Sequence, residues 1–581
     1  MRLLPIFLFC LATPALATTS LVLANDQRFK TLTDRETAWA RADGGGGEDD
    51  ERIAPHLQDV RPAAQAKRLA YLQQVLADLD AIKPADLSPA SAVDYQVYRF
   101  DIETRIAALK SRDYEMPANS DSSFWSDLGY TARGSFKAET DYRNWLNQLH
   151  EIPAYFAEQI ANMRAGEARG FTPPKVTLAG RDEAVAQVAN ASSAEDSFLY
   201  LPFKAMPGAI PAATQAALRA EALKAIAQED LPAYKGLLAY LRETYIPHAR
   251  TSLAAEALPD GKAWYAAQIK AYATVDLTPD HIHEIGLAEV AKIHAEMLGV
   301  MKQTGFSGDL PAFLKYLRTD PRFYAKTPQE LLDRAAWTAK QVDNVIGLYI
   351  GHLPRRRFGI VPVPADIAPF YTAGRGGPGQ YLVNTYDLPS RPLYQLPALT
   401  LHESAPGHAM QIPLAAENKA APPFRQSIYI SAYGEGWALY CERLGDEMGI
   451  YQTPYERFGM LSYQMWRASR LVVDTGIHHK GWTRDQALAF LHDNTALSDH
   501  EITTEVDRYI SWPGQALSYY LGEMAIRQGR AKAEAALGPK FNIRAFHDAV
   551  LELGSVPLPV LDARIDRFIA EGGKGPYPDE E

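Results

Sequence analysis

Residues 399–408, Leu-Thr-Leu-His-Glu-Ser-Ala-Pro-Gly-His, restrict the local fold more than any other stretch of the chain. An apolar run ends in His402 and Glu403, and His408 follows six residues after the first histidine. On a regular α-helix a spacing of six turns the chain by about 600°, so the two imidazoles would point roughly 120° apart. Proline removes a backbone donor and glycine tolerates unusual dihedral angles. The segment therefore predicts a helix break near Pro406 that allows the second histidine to turn back toward the first.

Two histidines with a glutamate beside the first are typical of a catalytic zinc site. Imidazoles are the commonest ligands of such a metal, and the adjacent glutamate can take a proton from water. In the common motif H-E-x-x-H the second ligand comes four residues after the first, on the same helix face. This segment is therefore either that motif with a two-residue insertion or a coincidence. In the second case the His-Glu pair is structural and the Pro-Gly pair is a helix stop.

A second segment, residues 431–442, adds carboxylates to an apolar helix face. Glu435 follows His408 by 27 residues, which allows a second helix to fold back antiparallel to the first. Glu435 and Glu442 are seven residues apart and share one face, where a carboxylate is costly unless it is paired or bound to a cation. Glu435 is the predicted third metal ligand. The alternative is ion pairing of both glutamates with arginines such as Arg443, Arg467 and Arg470.

Four motifs carry a resemblance to a known family. They are H-E-S-A-P-G-H (402–408), Y-G-E-G-W-A-L-Y-C-E (433–442), V-D-T-G-I-H-H-K-G-W-T-R-D-Q-A (473–487) and R-Y-I-S-W-P-G-Q-A-L-S-Y (508–519). Together they resemble the bacterial family catalogued as domain of unknown function 885, and the stretches 241–250 and 277–287 also fit it. The resemblance extends over roughly residues 30–570, most of the chain after its first segment.

The resemblance implies a metallopeptidase. The order of ligands is similar to that of angiotensin-converting enzyme, thimet oligopeptidase and carboxypeptidase Taq, where two histidines precede a glutamate and the first motif holds a glutamate base. By this resemblance zinc is held by His402, His408 and Glu435, and Glu403 is the base. The two-residue insertion before His408 departs from the motif of those enzymes. In them a tyrosine and a histidine stabilise the oxyanion.

Further candidates follow Glu442 in the chain. Asp474 and His478 are four residues apart on a predicted helix, which suits a carboxylate that orients an imidazole. His478 is a candidate oxyanion donor, and a structural histidine at a helix end is the equal alternative. Arg508 offers a cation for a substrate carboxylate, and Tyr519 is the phenol predicted to stabilise the oxyanion. Most tyrosines in a chain with 10% aromatic residues belong to the core, which is the alternative for Tyr519.

The first 17 residues are predicted to be a signal peptide. They have a positive charge at Arg2, an apolar core from Leu3 to Leu11 and an A-x-A cleavage site at 15–17. No small residue precedes Cys10 as lipidation requires, so we expect no lipid anchor. The apolar core is too short to cross a bilayer and no later stretch reaches about 20 apolar residues, so no membrane partner is expected.

Charge and cysteine content fit a protein exported from the cytoplasm. The net charge is −11, and removal of Arg2 with the signal makes it −12; without a basic stripe, we expect no nucleic acid partner. Cys441 is then the only cysteine, which excludes an intrachain disulfide and suits a large periplasmic protein that relies on its core. We expect a periplasmic or secreted protein.

Apolar residues recur at helical spacing along most of the chain and predict a mostly α fold. The clearest stretches are 72–79, 89–110, 141–163, 213–245 and 279–302. An acidic glycine-rich patch at 44–51 is predicted to be a flexible loop. No linker divides the remainder, so residues 18–581 are predicted to form one helical unit with two lobes around a central cleft.

A short β-rich region precedes the first motif. Residues 358–364, 369–372 and 380–386 are β-branched or aromatic runs bounded by glycine and proline, and they predict a small sheet beside the catalytic helix. The glycine-rich stretch 374–379 is predicted to be a turn or a mobile lid, since it lacks the lysine and the helix of a phosphate-binding loop. An edge strand here could bind an extended peptide by main-chain hydrogen bonds.

These observations favour a secreted zinc-dependent peptidase that hydrolyses short peptides, with water activated by zinc and Glu403. Two alternatives remain. One is a metal-dependent hydrolase of non-peptide amide or ester bonds that uses the same site. The other is a metal-free helical periplasmic binding protein.

Overall fold

The computed structural model describes residues 14–44, 53–120, 122–365 and 368–577. Of the predicted signal peptide, residues 1–13 lie outside the described residues, and so does most of the predicted acidic loop. Within the described ranges the chain is mostly helical with one small sheet, which confirms the predicted fold class. In these ranges we find no helix with the length and apolar character needed to cross a membrane.

Three helices pack together near the N-terminus. They are α1 (Pro14–Ala42), α2 (Pro62–Asp80) and α3 (Pro89–Ser111). Their buried apolar residues form a cluster of their own, to which α2 contributes Leu72, Val75 and Leu79 at helical spacing. The Ser88 side chain caps α3 by accepting a hydrogen bond from the backbone N–H of Ser91.

The following helices enclose a second apolar cluster. They are α4 (Phe124–Ala132), α5 (Glu139–Ala168), α6 (Glu183–Ala189), α7 (Leu201–Lys204), α8 (Ala212–Ala225), α9 (Leu231–Tyr240) and α10 (Ile246–His248). Two π-helical turns, Ile226–Asp230 and Leu241–Tyr245, join α8 to α9 and α9 to α10. The side chain of Asp230 is fully buried in this part of the molecule.

The remaining helices and the sheet share the third and largest apolar cluster. The helices are α11 (Gly261–Ala273), α12 (Pro279–Gln303), α13 (Leu310–Thr319), α14 (Pro328–Val345), α15 (Leu396–Glu403), α16 (His408–Glu417), α17 (Pro423–Ser427), α18 (Ser431–Glu447), α19 (Pro454–His478), α20 (Arg484–Asn494), α21 (Asp499–Ser511), α22 (Ser518–Leu537), α23 (Ile543–Leu551) and α24 (Leu558–Ala570). Helix α19 is central, because it is buried from Phe458 to its end. The predicted arrangement of two lobes around a cleft stays a prediction.

Helices α18 and α22 cross at backbone contact. A Cβ atom on Gly436 would collide with the backbone of Gly522, and a Cβ on Gly522 would collide with the carbonyl oxygen of Ala432. Only glycine at both positions allows so close an approach. This crossing fixes the N-terminal halves of the two helices relative to each other.

The sheet has three short strands in the order β1-β3-β2. They are β1 (Gly359–Pro362), β2 (Gly374–Gly377) and β3 (Gln380–Val383); β1 is parallel and β2 antiparallel to β3. The predicted strand at 369–372 is wrong, since residues 368–370 form a 3₁₀ turn, where Pro369 has no N–H to give to a ladder. The glycine-rich stretch predicted as a turn instead supplies β2. The absence of a side chain at Gly376 lets this strand lie directly against the end of α15.

Candidate metal centre

The histidine motif spans two helices. Helix α15 ends at Glu403 and α16 begins at His408, and the intervening Ala405–Pro406 peptide bond is cis. A Cβ atom on Gly407 would collide with the carbonyl oxygen of His402, so glycine is required where the chain turns back. The two imidazole rings lie 4.9 Å apart between centroids and are nearly perpendicular, at 84°. The break that the spacing predicts therefore brings both histidines to one place.

Glu435 meets both histidines from α18. Its Oε2 atom lies 3.4 Å from Nε2 of His402 and 3.4 Å from Nε2 of His408. Two ligands bound to a tetrahedral zinc ion at about 2.0–2.2 Å are separated by about 3.4 Å. Ligand atoms of His402, Glu403 and His408 also lie within 4.8 Å of one another. Two imidazoles and a carboxylate are a set of donors that suits zinc, and their spacing fits it; their role as ligands stays a prediction.

Opposing electrostatic effects act on this cluster. Burial raises the pKa of Glu435, but the charges and hydrogen bonds of His402 and His408 outweigh it and hold that pKa well below its usual range. Burial lowers the pKa of His402, while hydrogen bonds to Glu435 and Glu442 raise it, with a net value of about 10. The carboxylates thus favour a positive charge at this point. A metal cation would take the place of the proton.

Behind His402, a buried carboxylate fixes the ring. The Nδ1 atom of His402 donates to Oε1 of Glu442 over 2.8 Å, which leaves Nε2 directed at Glu435. Glu442 is fully buried and lies 3.6 Å from Arg467, whose guanidinium stacks on Trp466 at 4.1 Å. The alternative of arginine pairing thus holds for Glu442 through Arg467, whereas Glu435 faces the histidines.

The second histidine has a different environment. The Nδ1 atom of His408 is buried and has no hydrogen-bond partner among the residues that the structure describes. Its orientation comes from the turn at Gly407 and from its place as the first residue of α16. Of the two imidazoles, only that of His402 has a carboxylate at its Nδ1 atom.

Glu403 is held by the small sheet. Its Oε2 atom accepts a hydrogen bond of 2.6 Å from the backbone N–H of Gly376 on β2. A Cβ atom at Gly376 would collide with the carbonyl oxygen of Glu403, so this strand can approach α15 only as glycine. The sequence did not reveal Gly376 as a residue of the site, because a glycine-rich stretch predicts a turn more readily than a strand.

One tyrosine contacts Glu435, and a second, Tyr519, lies near enough to act electrostatically on the first. The hydroxyl of Tyr429 donates to Oε1 of Glu435 over 3.1 Å, and the absence of a side chain at Gly434 makes room for its ring. Although 47% of Tyr429 is exposed, burial of its hydroxyl end, together with the charges of Glu435 and Tyr519, raises the pKa of that hydroxyl. Tyr519, at the start of α22, accepts a 3.3 Å hydrogen bond from Arg508. Sequence reasoning selected Tyr519 but missed Tyr429, whose only signal is its place six residues before Glu435.

His478 lies outside this cluster. Its Nδ1 atom accepts from the backbone N–H of Ala255 (3.1 Å), and its Nε2 atom donates to the carbonyl of Tyr509 (2.9 Å). Burial lowers the pKa of His478 to about 3, so the ring is neutral. Asp474 accepts from Tyr265 and from the backbone of Gly514 instead of orienting His478. With both ring nitrogens engaged by backbone, the contacts correspond to the structural alternative and leave no donor for an oxyanion.

The fold and the cluster define a large, mostly α protein in which two buried histidines meet a partly buried glutamate. Residues 41–565 match the family described as "Bacterial protein of unknown function (DUF885)", and the chain belongs to that family. This confirms the family resemblance of the motifs. A comparison with curated proteins gives no match.

Two solved structures share the fold over nearly their whole length. One is a "putative lipoprotein" from Colwellia psychrerythraea, 26% identical, with a TM-score of 0.84 over 96% of this chain and 99% of that one. The other is a "putative lipoprotein of unknown function" from Shewanella oneidensis, 19% identical, with a TM-score of 0.65 over 95% and 99%. The second likeness concerns the fold alone.

Proposed function

We propose that the protein is a zinc-dependent peptidase of the cell envelope that hydrolyses short peptides. The observation that carries the proposal is the convergence of two imidazole Nε2 atoms on one carboxylate oxygen of Glu435, each at 3.4 Å. His402, His408 and Glu435 would hold the ion, and Glu442 would keep His402 in the required tautomer. The predicted signal peptide, and the description of the two similar structures as "putative lipoprotein", support a place in the cell envelope.

Zinc, when bound, supplies a Lewis acid that lowers the pKa of water and polarises a carbonyl group. Glu403 lies beside the ligands and takes the proton of the attacking water, and it later passes that proton to the leaving amine. The N–H of Gly376 holds one oxygen of this carboxylate at 2.6 Å, which leaves the other for the proton. The hydroxyl of Tyr519 donates to the oxyanion that forms on the carbonyl, while Tyr429 orients Glu435.

The position of β2 supports a peptide as substrate. This strand is at the edge of the sheet, and its backbone contacts Glu403. An extended peptide could lie along such an edge with its main chain hydrogen-bonded and its scissile bond near the glutamate. An ester or an isolated amide has no extended main chain that could form hydrogen bonds along this edge.

The decisive experiment combines metal content with hydrolysis. Purified protein is analysed for metal and incubated with a library of tripeptides and with matching esters, before and after treatment with phenanthroline and after return of zinc. We expect about one zinc per chain and peptide cleavage that is lost with the metal and restored with it. A folded protein that binds no zinc would indicate the metal-free binding protein. Zinc with hydrolysis of esters but not of peptides would indicate the non-peptide hydrolase.

A further inference from the structure

Two arginines beside Tyr519 share one carboxylate. Arg470 lies 2.8 Å from Glu505, and Arg508 lies 3.6 Å from the same side chain. In the described part of the chain no other carboxylate is within ion-pair distance of either guanidinium. Glu501, on the same helix, is no full counter-charge, because burial raises its pKa to about 7. One positive charge of this pair is therefore left over, and a buried excess charge is costly without an anion.

The excess charge is accessible at Arg508. The side chain of Arg470 is only 2% exposed, and its Nε atom donates to the hydroxyl of Tyr509 over 2.9 Å. The side chain of Arg508 is 28% exposed, and its Nη2 atom donates to Gln515 over 3.0 Å and to Tyr519 over 3.3 Å. These contacts fix the plane of the Arg508 guanidinium but do not neutralise it.

This guanidinium is linked to the proposed metal centre through two tyrosines: it donates to Tyr519, and Tyr519 acts electrostatically on Tyr429, whose hydroxyl donates to Glu435. Tyr519, which it contacts, lies three residues before Gly522, and Gly522 meets Gly436 at the crossing of α18 and α22. Gly436 directly follows Glu435 in the chain. A peptide bound at Glu435 and at the Tyr519 hydroxyl would therefore bring its following residues to Arg508.

We propose that Arg508 binds the free terminal carboxylate of the substrate, so that the enzyme acts on short peptides close to their C-terminus. Both hydrogens of Nη2 are engaged by the neutral acceptors Gln515 and Tyr519, and a carboxylate, as the stronger acceptor, would replace one of them to complete the planar fork that a lysine ammonium lacks. This inference rests on the proposed function, since it assigns a substrate class to the same site. It makes the protein a carboxypeptidase or dipeptidase rather than an endopeptidase.

The test measures binding separately from turnover. In the zinc-loaded Glu403→Gln protein, calorimetry compares the affinity for alanyl-alanyl-phenylalanine with that for its C-terminal amide. We expect the acid to bind about 10- to 100-fold more tightly, because a charge-assisted hydrogen bond is lost in the amide. Added to this background, Arg508→Gln should abolish the preference, and Arg508→Lys should retain part of it. Arg484→Gln is the matched control, since Arg484 is 27% exposed and paired to Asp507 outside the site.

The outcomes separate this inference from the proposed function. Equal affinity for acid and amide, or an unchanged preference in Arg508→Gln, would refute the carboxylate site. If Arg508→Gln does not fold by circular dichroism, Arg508→Lys decides, because a full preference there contradicts a bidentate contact. Binding of the acid through Arg508 by a wild-type protein that cleaves neither peptide would refute the peptidase and keep the carboxylate site. Cleavage of acid and amide at equal rates by the wild type would refute the carboxylate site and keep the peptidase.

Discussion

Glu435 and Asp230 are both carboxylates inside the protein, yet their environments push them in opposite directions. Burial raises the pKa of each, but in Glu435 the two histidines reverse the effect. Both oxygens of Asp230 lack a hydrogen-bond partner among the described residues, and burial, with a smaller effect of Glu229, raises its pKa to about 8. At neutral pH the first is an anion and the second carries its proton. Depth in the core therefore does not decide which acid is charged; its neighbours do.

The difference extends to the clusters around them. Near Glu435 the third cluster holds opposite charges in contact, such as Glu442 with His402 and Arg467. Near Asp230 the hydroxyl of Tyr234 is also buried without a partner among the described residues. Contacts between opposite charges are expected where a charged group takes part in binding or catalysis. A buried acid without such a partner remains neutral. Four predictions test this comparison.

The largest effect is expected for Glu435→Ala. Loss of a charged ligand leaves two imidazoles, which are a weak zinc site, so zinc content and peptide hydrolysis should both be lost. Asp230→Ala is the control and should keep its metal, because it lies in another cluster. Elemental analysis and the peptide assay measure both proteins. Zinc at native stoichiometry and affinity in Glu435→Ala would move the site elsewhere.

Glu403→Gln should separate chemistry from metal binding. Glutamine keeps the size of the side chain and can still accept the hydrogen bond of Gly376, but it cannot take a proton. Turnover should fall by about 10²–10⁴-fold while zinc content is unchanged. Loss of metal in this variant, as in a ligand variant, would contradict the assignment of Glu403 as the base.

Glu442→Gln should weaken the site without destroying it. The amide can still accept from His402, but it no longer stabilises positive charge on the ring and leaves Arg467 without its partner. We expect zinc affinity to fall by about 10- to 100-fold in competition with a chelator of known affinity. An unchanged affinity would show that Glu442 only balances Arg467.

Asp230→Asn should leave zinc content and hydrolysis unchanged and alter only the pH dependence of stability. The carboxyl has a pKa of about 8 in the folded protein and an ordinary value of 3.8. Between these values the unfolded chain has released the proton that the folded protein keeps. The wild type thus loses stability as the pH rises through this window, by up to about 1.4 kcal/mol per pH unit. Urea unfolding at pH 5 and pH 8 should show a larger loss of stability in the wild type than in the variant, and equal losses would contradict a neutral Asp230.

The proximity of His402, His408 and Glu435 could be predicted from the sequence because its signals are local, while their role as metal ligands stays a prediction. The spacing of His402 and His408 requires the helix break, and Glu435 follows from its cost on an apolar face. Gly376 and Tyr429 escape such reasoning, since a residue that acts through its backbone and a single tyrosine before a helix leave no periodic pattern. His478 shows the converse limit. Helical spacing places it beside Asp474, but the groups that engage its ring come from Ala255 and Tyr509, which are distant in the chain.

The glycine contact between α18 and α22 sets the distance between the two backbones that carry Glu435 and Tyr519. Glu435 and Tyr519 are carried by the two helices, one residue before and three residues before the glycines that touch. The distance between the two backbones stays the same whatever rotamers these side chains adopt, and any added methyl group at the glycines would separate the helices. A change in the spacing of the two helices therefore requires a change at the glycines themselves, because no substitution elsewhere on their surfaces removes this contact.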